Sequence, residues 1–303
     1  MVGATEEMEL QKLERDVEGG GGDVAQYLAL VRKLRVRRSS TVARHGLALL
    51  NNSSARSKLG ADVWTIYEQV AIAAMDCHAL EAAKECIGAL RTKFPESMRV
   101  ARLEGMWWEA KGAWQQAESL YSDLLADNPS DSALHKRRIA MAKAQGNLIG
   151  AVEATNKYLE TFMADHDAWR ELADMYILLQ MYKQAAFCFE ELILSQPTNA
   201  LYHLGYAELL YTMGGLDNLR AARKYYAAAI EMSGGQNMRA LFGICMCGTA
   251  ITQTKGRGRD EKDSVDLLSL AGSVIVKQYK EKCPNKVDLI TSILDKQLVA
   301  NIA

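Results

Sequence analysis

The chain has 303 residues, 49% of them apolar and 24% charged, with 36 basic against 37 acidic side chains. This is the balance of a folded chain with a buried interior, and it excludes the global basic excess expected of a nucleic-acid-binding protein. Six cysteines, Cys77, Cys86, Cys188, Cys245, Cys247 and Cys283, follow no framework spacing, so a reducing compartment is expected rather than a disulfide scaffold.

Residues 1–22 read as an acidic N-terminal segment followed by a glycine linker. Met1 to Glu18 is amphipathic and lacks the basic start and apolar centre of a secretory signal, and Gly19 to Gly22 is expected to detach it from the rest of the chain. No apolar run approaches the ~18 residues of a membrane span. The protein is therefore expected to face the cytosol and to reach a membrane through partners.

Residues 23–62 read as a basic N-terminal helical cap, with Val24 to Asn51 a degenerate helical pair. From Val24 to Ala61 there are eight basic residues, including Arg32, Lys33, Arg35, Arg37, Arg38 and Arg44, and no acidic one. Such a segment suits an acidic partner or, by direct contact of residues 32–44, anionic lipid headgroups. A solvated helix face is the plainer alternative.

A fixed period organises residues 63–254. Pro95 and Pro129 recur at an interval of ~34 residues, with Pro197 two such intervals further on, a spacing that marks stacked helix-turn-helix repeats. One frame fits five units starting at Trp64, Met98, Ser132, His166 and Ala200. In the unit from His166 to Asn199, Trp169, Leu172, Ala173 and Tyr176 share one face of the first helix, and Tyr182, Ala185 and Phe189 follow on the second. The Met98 unit carries Gly105, Trp108, Gly112, Trp114, Ala117, Tyr121 and Pro129 at matching places, and Tyr67 occupies its place in the Trp64 unit. Alanine recurs at Ala83, Ala117, Ala151 and Ala185, where two helices must approach closely. These residues resemble the tetratricopeptide-repeat motif, which implies an all-α, right-handed superhelical solenoid of about five to six repeats with helical caps.

The Ala200 unit departs from the period. Gly214, Gly215 and Leu216 open a turn longer by about three residues before Ala222, Tyr226 and Ala229 resume the pattern. A sixth first helix is expected over Asn237 to Gly248. Residues 255–303 read as a loop and closing helices, with Lys255 to Asp263 a connector and Val265 to Tyr279 an amphipathic helix.

Catalytic chemistry has no foothold in this pattern. There is no phosphate-binding Gly-Lys-Ser/Thr loop, no Gly-x-Ser-x-Gly elbow and no paired-histidine metal motif. Cys245 and Cys247 lie two apart in a helix and point in different directions. His135, His166 and His203 fall in successive first helices without ligand partners. No enzyme activity, cofactor or metal is expected, and no nucleic-acid partner. Trp107, Trp108 and Trp114 could form an aromatic box, but the frame places Trp108 and Trp114 at packing positions.

In arrays of this kind the first helices line a channel. The frame points Arg99, Arg102, Leu103 and Met106 into it from one unit, Lys136, Arg137 and Lys143 from the next, and Arg170, Glu171 and Asp174 from a third. The expected channel is basic in its middle with apolar patches, suited to a segment with apolar anchors and some acidic residues. Solvated residues on an exposed face are the alternative. A clamp for the C-terminal carboxylate of heat-shock chaperones needs asparagines where this chain has Glu68, Ile72, Arg102 and Met106, so a chaperone-linked adaptor is the second reading.

Four stretches carry a closer resemblance: Val63-Trp64-Thr65-Ile66-Tyr67-Glu68-Gln69-Val70, Lys183-Gln184-Ala185-Ala186-Phe187-Cys188-Phe189-Glu190-Glu191-Leu192, Tyr211-Thr212-Met213-Gly214-Gly215-Leu216-Asp217-Asn218-Leu219 and Asn237-Met238-Arg239-Ala240-Leu241-Phe242-Gly243. Together with the enlarged fifth turn, they resemble the family of subunit 2 of the endoplasmic reticulum membrane protein complex over about Val63 to Gly248. The resemblance implies a non-catalytic, peripheral scaffold on the cytosolic face of that membrane. It would support insertion of transmembrane helices and tail-anchored proteins by other subunits. The repeat channel would hold the cytosolic tail of a membrane-embedded subunit, and the outer surface would dock a soluble one.

Overall fold

The computed structural model describes residues 4–254 and 260–299. All regular structure among the described residues is helical, and the chain divides into two compact units, Met1–Gly146 and Asn147–Ala303. The first unit holds α1 (Ala4–Glu18), α2 (Val24–Leu34), α3 (Ser39–Asn51), α4 (Ser53–Lys58), α5 (Asp62–Asp76), α6 (Leu80–Lys93), α7 (Met98–Ala110), α8 (Trp114–Asp127) and α9 (Ser132–Ala144). The second holds α10 (Leu148–Thr161), α11 (His166–Leu178), α12 (Tyr182–Ser195), α13 (Ala200–Met213), α14 (Leu216–Met232), α15 (Met238–Thr254), α16 (Asp260–Lys282) and α17 (Val287–Val299).

The repeat is written into the helix ends. The turns that separate the paired helices all place a residue in the left-handed region, at His78, Gly112, Gly146, Gln180 and Gly214, each one repeat length after the last. Glycine adopts that conformation freely, whereas His78 and Gln180 hold it against the clash of their own Cβ. At the other end, the carboxylates of Asp131 and Asp165 and the amide of Asn199 accept hydrogen bonds from the opening backbone N–H groups of α9, α11 and α13, satisfying donors that have no partner inside the helix.

Packing follows the same spacing. Ala83, Ala117, Ala151 and Ala185 are all fully buried, as is Ala222, which takes that role after the enlarged turn. A Cβ on Gly105 would lie 2.2 Å from the Tyr121 ring, and one on Gly243 would lie 2.4 Å from Tyr226. Only glycine allows those tyrosines to close on the neighbouring helix. Gly214 and Gly215 both have positive φ, and this pair accommodates the extra residues before α14.

Four details differ from the sequence reading. Gly19 to Gly22 does not hold α1 away. Its amides turn back onto the carbonyls of Arg15, Asp16 and Val17, and Leu10 and Val17 of α1 are buried in the core of the first unit. Trp107 rather than Trp108 takes the deep position. It is 6% exposed and its Nε1 donates to the Leu80 carbonyl at 2.8 Å, while Trp108 is half-buried between two groups of core residues. α15 runs on to Thr254, beyond the expected end at Gly248. In the expected Lys255 to Asp263 connector, residues 255–259 lie outside the described residues and α16 already begins at Asp260.

Candidate partner-binding surfaces

The four buried cysteines offer no reactive centre. Burial pushes the thiols of Cys86 and Cys245 up to about 11 and those of Cys188 and Cys247 up to about 12, so all four stay protonated and weakly nucleophilic near neutral pH. The histidines have a structural task that the sequence reading missed. Nε2 of His135 lies 2.9 Å from the Pro129 carbonyl and Nε2 of His203 lies 2.8 Å from that of Pro197. Because a carbonyl only accepts, each Nε2 carries the proton. Trp169, midway between them in the period, donates Nε1 to the Met163 carbonyl at 2.9 Å. Two imidazoles and one indole thus do the same task, each tying the start of a first helix to the turn before it. The signal was visible as three ring N–H donors set one repeat length apart.

In the first unit two of the predicted channel residues, Arg99 and Leu103, line a cleft of about 260 Å³ between α5, the end of α6 and α7. Its aromatic wall is Trp64 set edge-on to Phe94, with ring centroids 5.6 Å apart. Leu103 forms its floor but is only 3% exposed, so it packs the core first and offers a partner little surface. Met106 likewise packs against the core and is half-buried. At the rim Arg99 donates to Glu68 from Nε at 2.7 Å, and Arg102 stands 4.0 Å from Asp131.

The basic character expected of this region is therefore offset by carboxylates. Arg137 is the clearest case. Its guanidinium forks onto Glu109, which also accepts from the Tyr121 hydroxyl. Burial and the hydrogen bond to Glu109 both drive the Tyr121 phenol far above its ordinary value. A half-buried charge locked into such a network holds α7, α8 and α9 together rather than reaching for a partner. Lys136 and Lys143 of α9 are exposed.

In the second unit Arg170 and Asp174 of α11 are exposed and Glu171 is half-buried. A cleft of about 380 Å³ lies beside them, lined by Asn156, Trp169, Tyr176, Lys183 and Phe187 among others. Phe187 is 53% exposed and meets the Trp169 edge at 6.1 Å between centroids.

The basic cap forms a third surface, a cleft of about 300 Å³ at the α2–α3 corner with Val31, Val42 and Ile72 in its walls. Much of its charge is answered from within. Arg32 donates to Gln69 at 2.8 Å, Lys33 meets Glu6 at 3.0 Å and Arg38 stands 3.6 Å from Glu14. Arg37 pairs with Asp76 and holds that carboxyl below its ordinary value. Arg35 and Arg44 are exposed. Among the described residues no helix is long and apolar enough to cross a membrane.

Comparison with known proteins converges on one family. A family model described as the EMC2 TPR-like repeat domain matches residues 92–214. ER membrane protein complex subunit 2-A of Xenopus laevis is 41% identical over 272 residues, covering 89% of this chain and 91% of its own length. ER membrane protein complex subunit 2 of Dictyostelium discoideum is 29% identical and covers 99% of this chain and 98% of its own length. Among solved structures, the C-terminal part of a TPR repeat-containing protein from Cytophaga hutchinsonii superposes with a TM-score of 0.55 at 15% identity, covering 79% of this chain and 93% of that one. That last likeness concerns the fold alone: an all-α tetratricopeptide-repeat architecture.

Proposed function

The chain belongs to the ER membrane protein complex subunit 2 family, and from that membership we propose a peripheral scaffold on the cytosolic face of the endoplasmic reticulum membrane. It is a non-catalytic tetratricopeptide-repeat subunit of the ER membrane protein complex. In the proposed role it holds cytosolic segments of membrane-embedded subunits, and so supports the insertion of transmembrane helices and tail-anchored proteins that other subunits carry out. A soluble subunit docks on its outer surface, and Arg35 and Arg44 of the basic cap face acidic groups of lipid or protein.

The observation that carries the binding role is the α5–α7 cleft. Trp64 and Phe94 give an apolar wall, and burying one large aliphatic side chain there contributes ~1.5–3 kcal/mol. The Arg99 side chain at the rim stays 66% exposed beyond its pair with Glu68, and Arg102 nearby is 4.0 Å from Asp131, so both guanidinium groups have donors left for an incoming acidic group. Arg170, Glu171 and Asp174 supply a mixed-charge face for the same purpose in the second unit.

The test is purification of the tagged protein from digitonin-solubilised membranes. A defined set of membrane-embedded and soluble subunits at constant stoichiometry is the expected result; a monomer, or a preparation carrying mainly chaperones, would overturn the scaffold reading. The groove assignment is tested by Arg99→Gln with Arg102→Gln, which removes both charges without setting a carboxylate against Glu68 or Asp131 and should shed the membrane-embedded partners while the circular dichroism spectrum stays native. Arg137→Glu is unsuitable for this purpose, because it would set a second carboxylate against Glu109.

A further inference from the structure

The cleft between α6 and α7 has a lining that the fold itself does not require. It encloses about 260 Å³ and has Ile87 and Gly88 on one side and Trp107 and Trp108 on the other. Gly88 lies in the interior of α6, where glycine is disfavoured relative to alanine. Its φ lies outside the left-handed region and a Cβ there would meet nothing within 4 Å. Neither backbone nor packing requires it. Gly105, by contrast, is compelled by the Tyr121 ring.

The period supplies a control. Asn156 and Tyr176 stand two repeat lengths after Gly88 and Trp108. There the asparagine Nδ2 donates to the tyrosine Oη at 3.0 Å, so in the wall of the second-unit cleft a side chain from the first of these positions covers the aromatic at the second. Glycine at position 88 leaves Trp108 without such a cover from α6.

Charge indicates what enters it. The Lys84 and Lys111 ammonium groups sit 5.5 Å and 5.1 Å from the Trp107 ring centroid, and Lys111 is 5.4 Å from that of Trp108. Neither lysine has a carboxylate partner among the described residues. Two cations resting on aromatic faces beside an open apolar pocket complement a carboxylate-flanked apolar side chain. We propose that the α6–α7 cleft is a second docking site, distinct from the α5–α7 cleft, for an acidic polypeptide segment that seats one large apolar side chain against Trp107 and Trp108.

The experiment uses the purified full chain and a short labelled peptide with one phenylalanine flanked by aspartates, followed by fluorescence anisotropy. Saturable binding is expected, weakened about tenfold or more by replacing the aspartates with asparagine, by Lys84→Glu with Lys111→Glu, and by Gly88→Gln. Gly88→Gln improves helix propensity, so its circular dichroism should be native. The losses caused by Lys84→Glu with Lys111→Glu and by Gly88→Gln should persist in an Arg99→Gln, Arg102→Gln background, which disables the α5–α7 site and isolates binding at α6–α7. The proposal is overturned by absence of saturable binding in the Arg99→Gln, Arg102→Gln background, by equal affinity of the asparagine peptide there, or by unchanged affinity on adding Gly88→Gln.

Discussion

The α6–α7 and α10–α11 steps occupy the same phase of the repeat and share the same left-handed turns and buried alanines, yet at one a glycine leaves Trp108 uncovered in a lysine-rimmed cleft and at the other Asn156 bonds across to Tyr176. Positions that define the repeat are dictated by helix-to-helix distance and cannot vary without moving a neighbour. Positions on the outward side of the same helices answer to nothing inside the chain, so their variation carries information about what lies outside it.

The sharpest way to break this comparison is at the floor. Trp107→Ala should cost ~3–5 kcal/mol in chemical denaturation, since the ring is buried and its N–H is satisfied. Trp108→Ala should cost less, ~1.5–3 kcal/mol, because part of its surface stays exposed in the folded chain. Equal losses would mean that both indoles are core and that the cleft is incidental. Next in size, Gly105→Val should destabilise by ~1–3 kcal/mol by driving a branched side chain into Tyr121, whereas a side chain at Gly88 meets open space. Asn156→Gly should remove the bridge to Tyr176 and lower stability by ~1 kcal/mol, read from the same denaturation curves. The smallest effect has the opposite sign: Gly88→Ala should stabilise by ~0.5–1 kcal/mol. A loss of stability there would reveal an internal need for glycine and remove the contrast between the two steps.

Much of the fold was legible in the sequence because the repeat constrains side-chain size at a few places. Alanine recurring once per repeat length can be read directly, and all four predicted alanines are fully buried. The candidate site was less legible. Trp107 and Trp108 are neighbours about 100° apart on a helix, and only the reach of one indole to the Leu80 carbonyl, far away in sequence, decides which is buried. Leu103 and Arg137 fall on the expected helices, but their roles depend on groups from other helices, the Trp64 and Phe94 wall and the Glu109 carboxylate. Net charge along one helix gave no warning that its arginines would be answered from the next. Glycine runs mislead in a similar way: Gly19 to Gly22 has the composition of a spacer, but Leu10 and Val17 bring α1 back onto the core.

That returning helix bears on the order in which the protein assembles. Glu14 of α1 accepts from the Tyr27 hydroxyl at 3.3 Å and from the Thr41 hydroxyl at 3.4 Å, so everything α1 packs against is synthesised after it. During translation the acidic helix must wait outside the exit tunnel, its Leu10 and Val17 uncovered, until α2 and α3 have emerged. For that interval the nascent chain shows an apolar stripe flanked by glutamates, which is covered only when the cap closes.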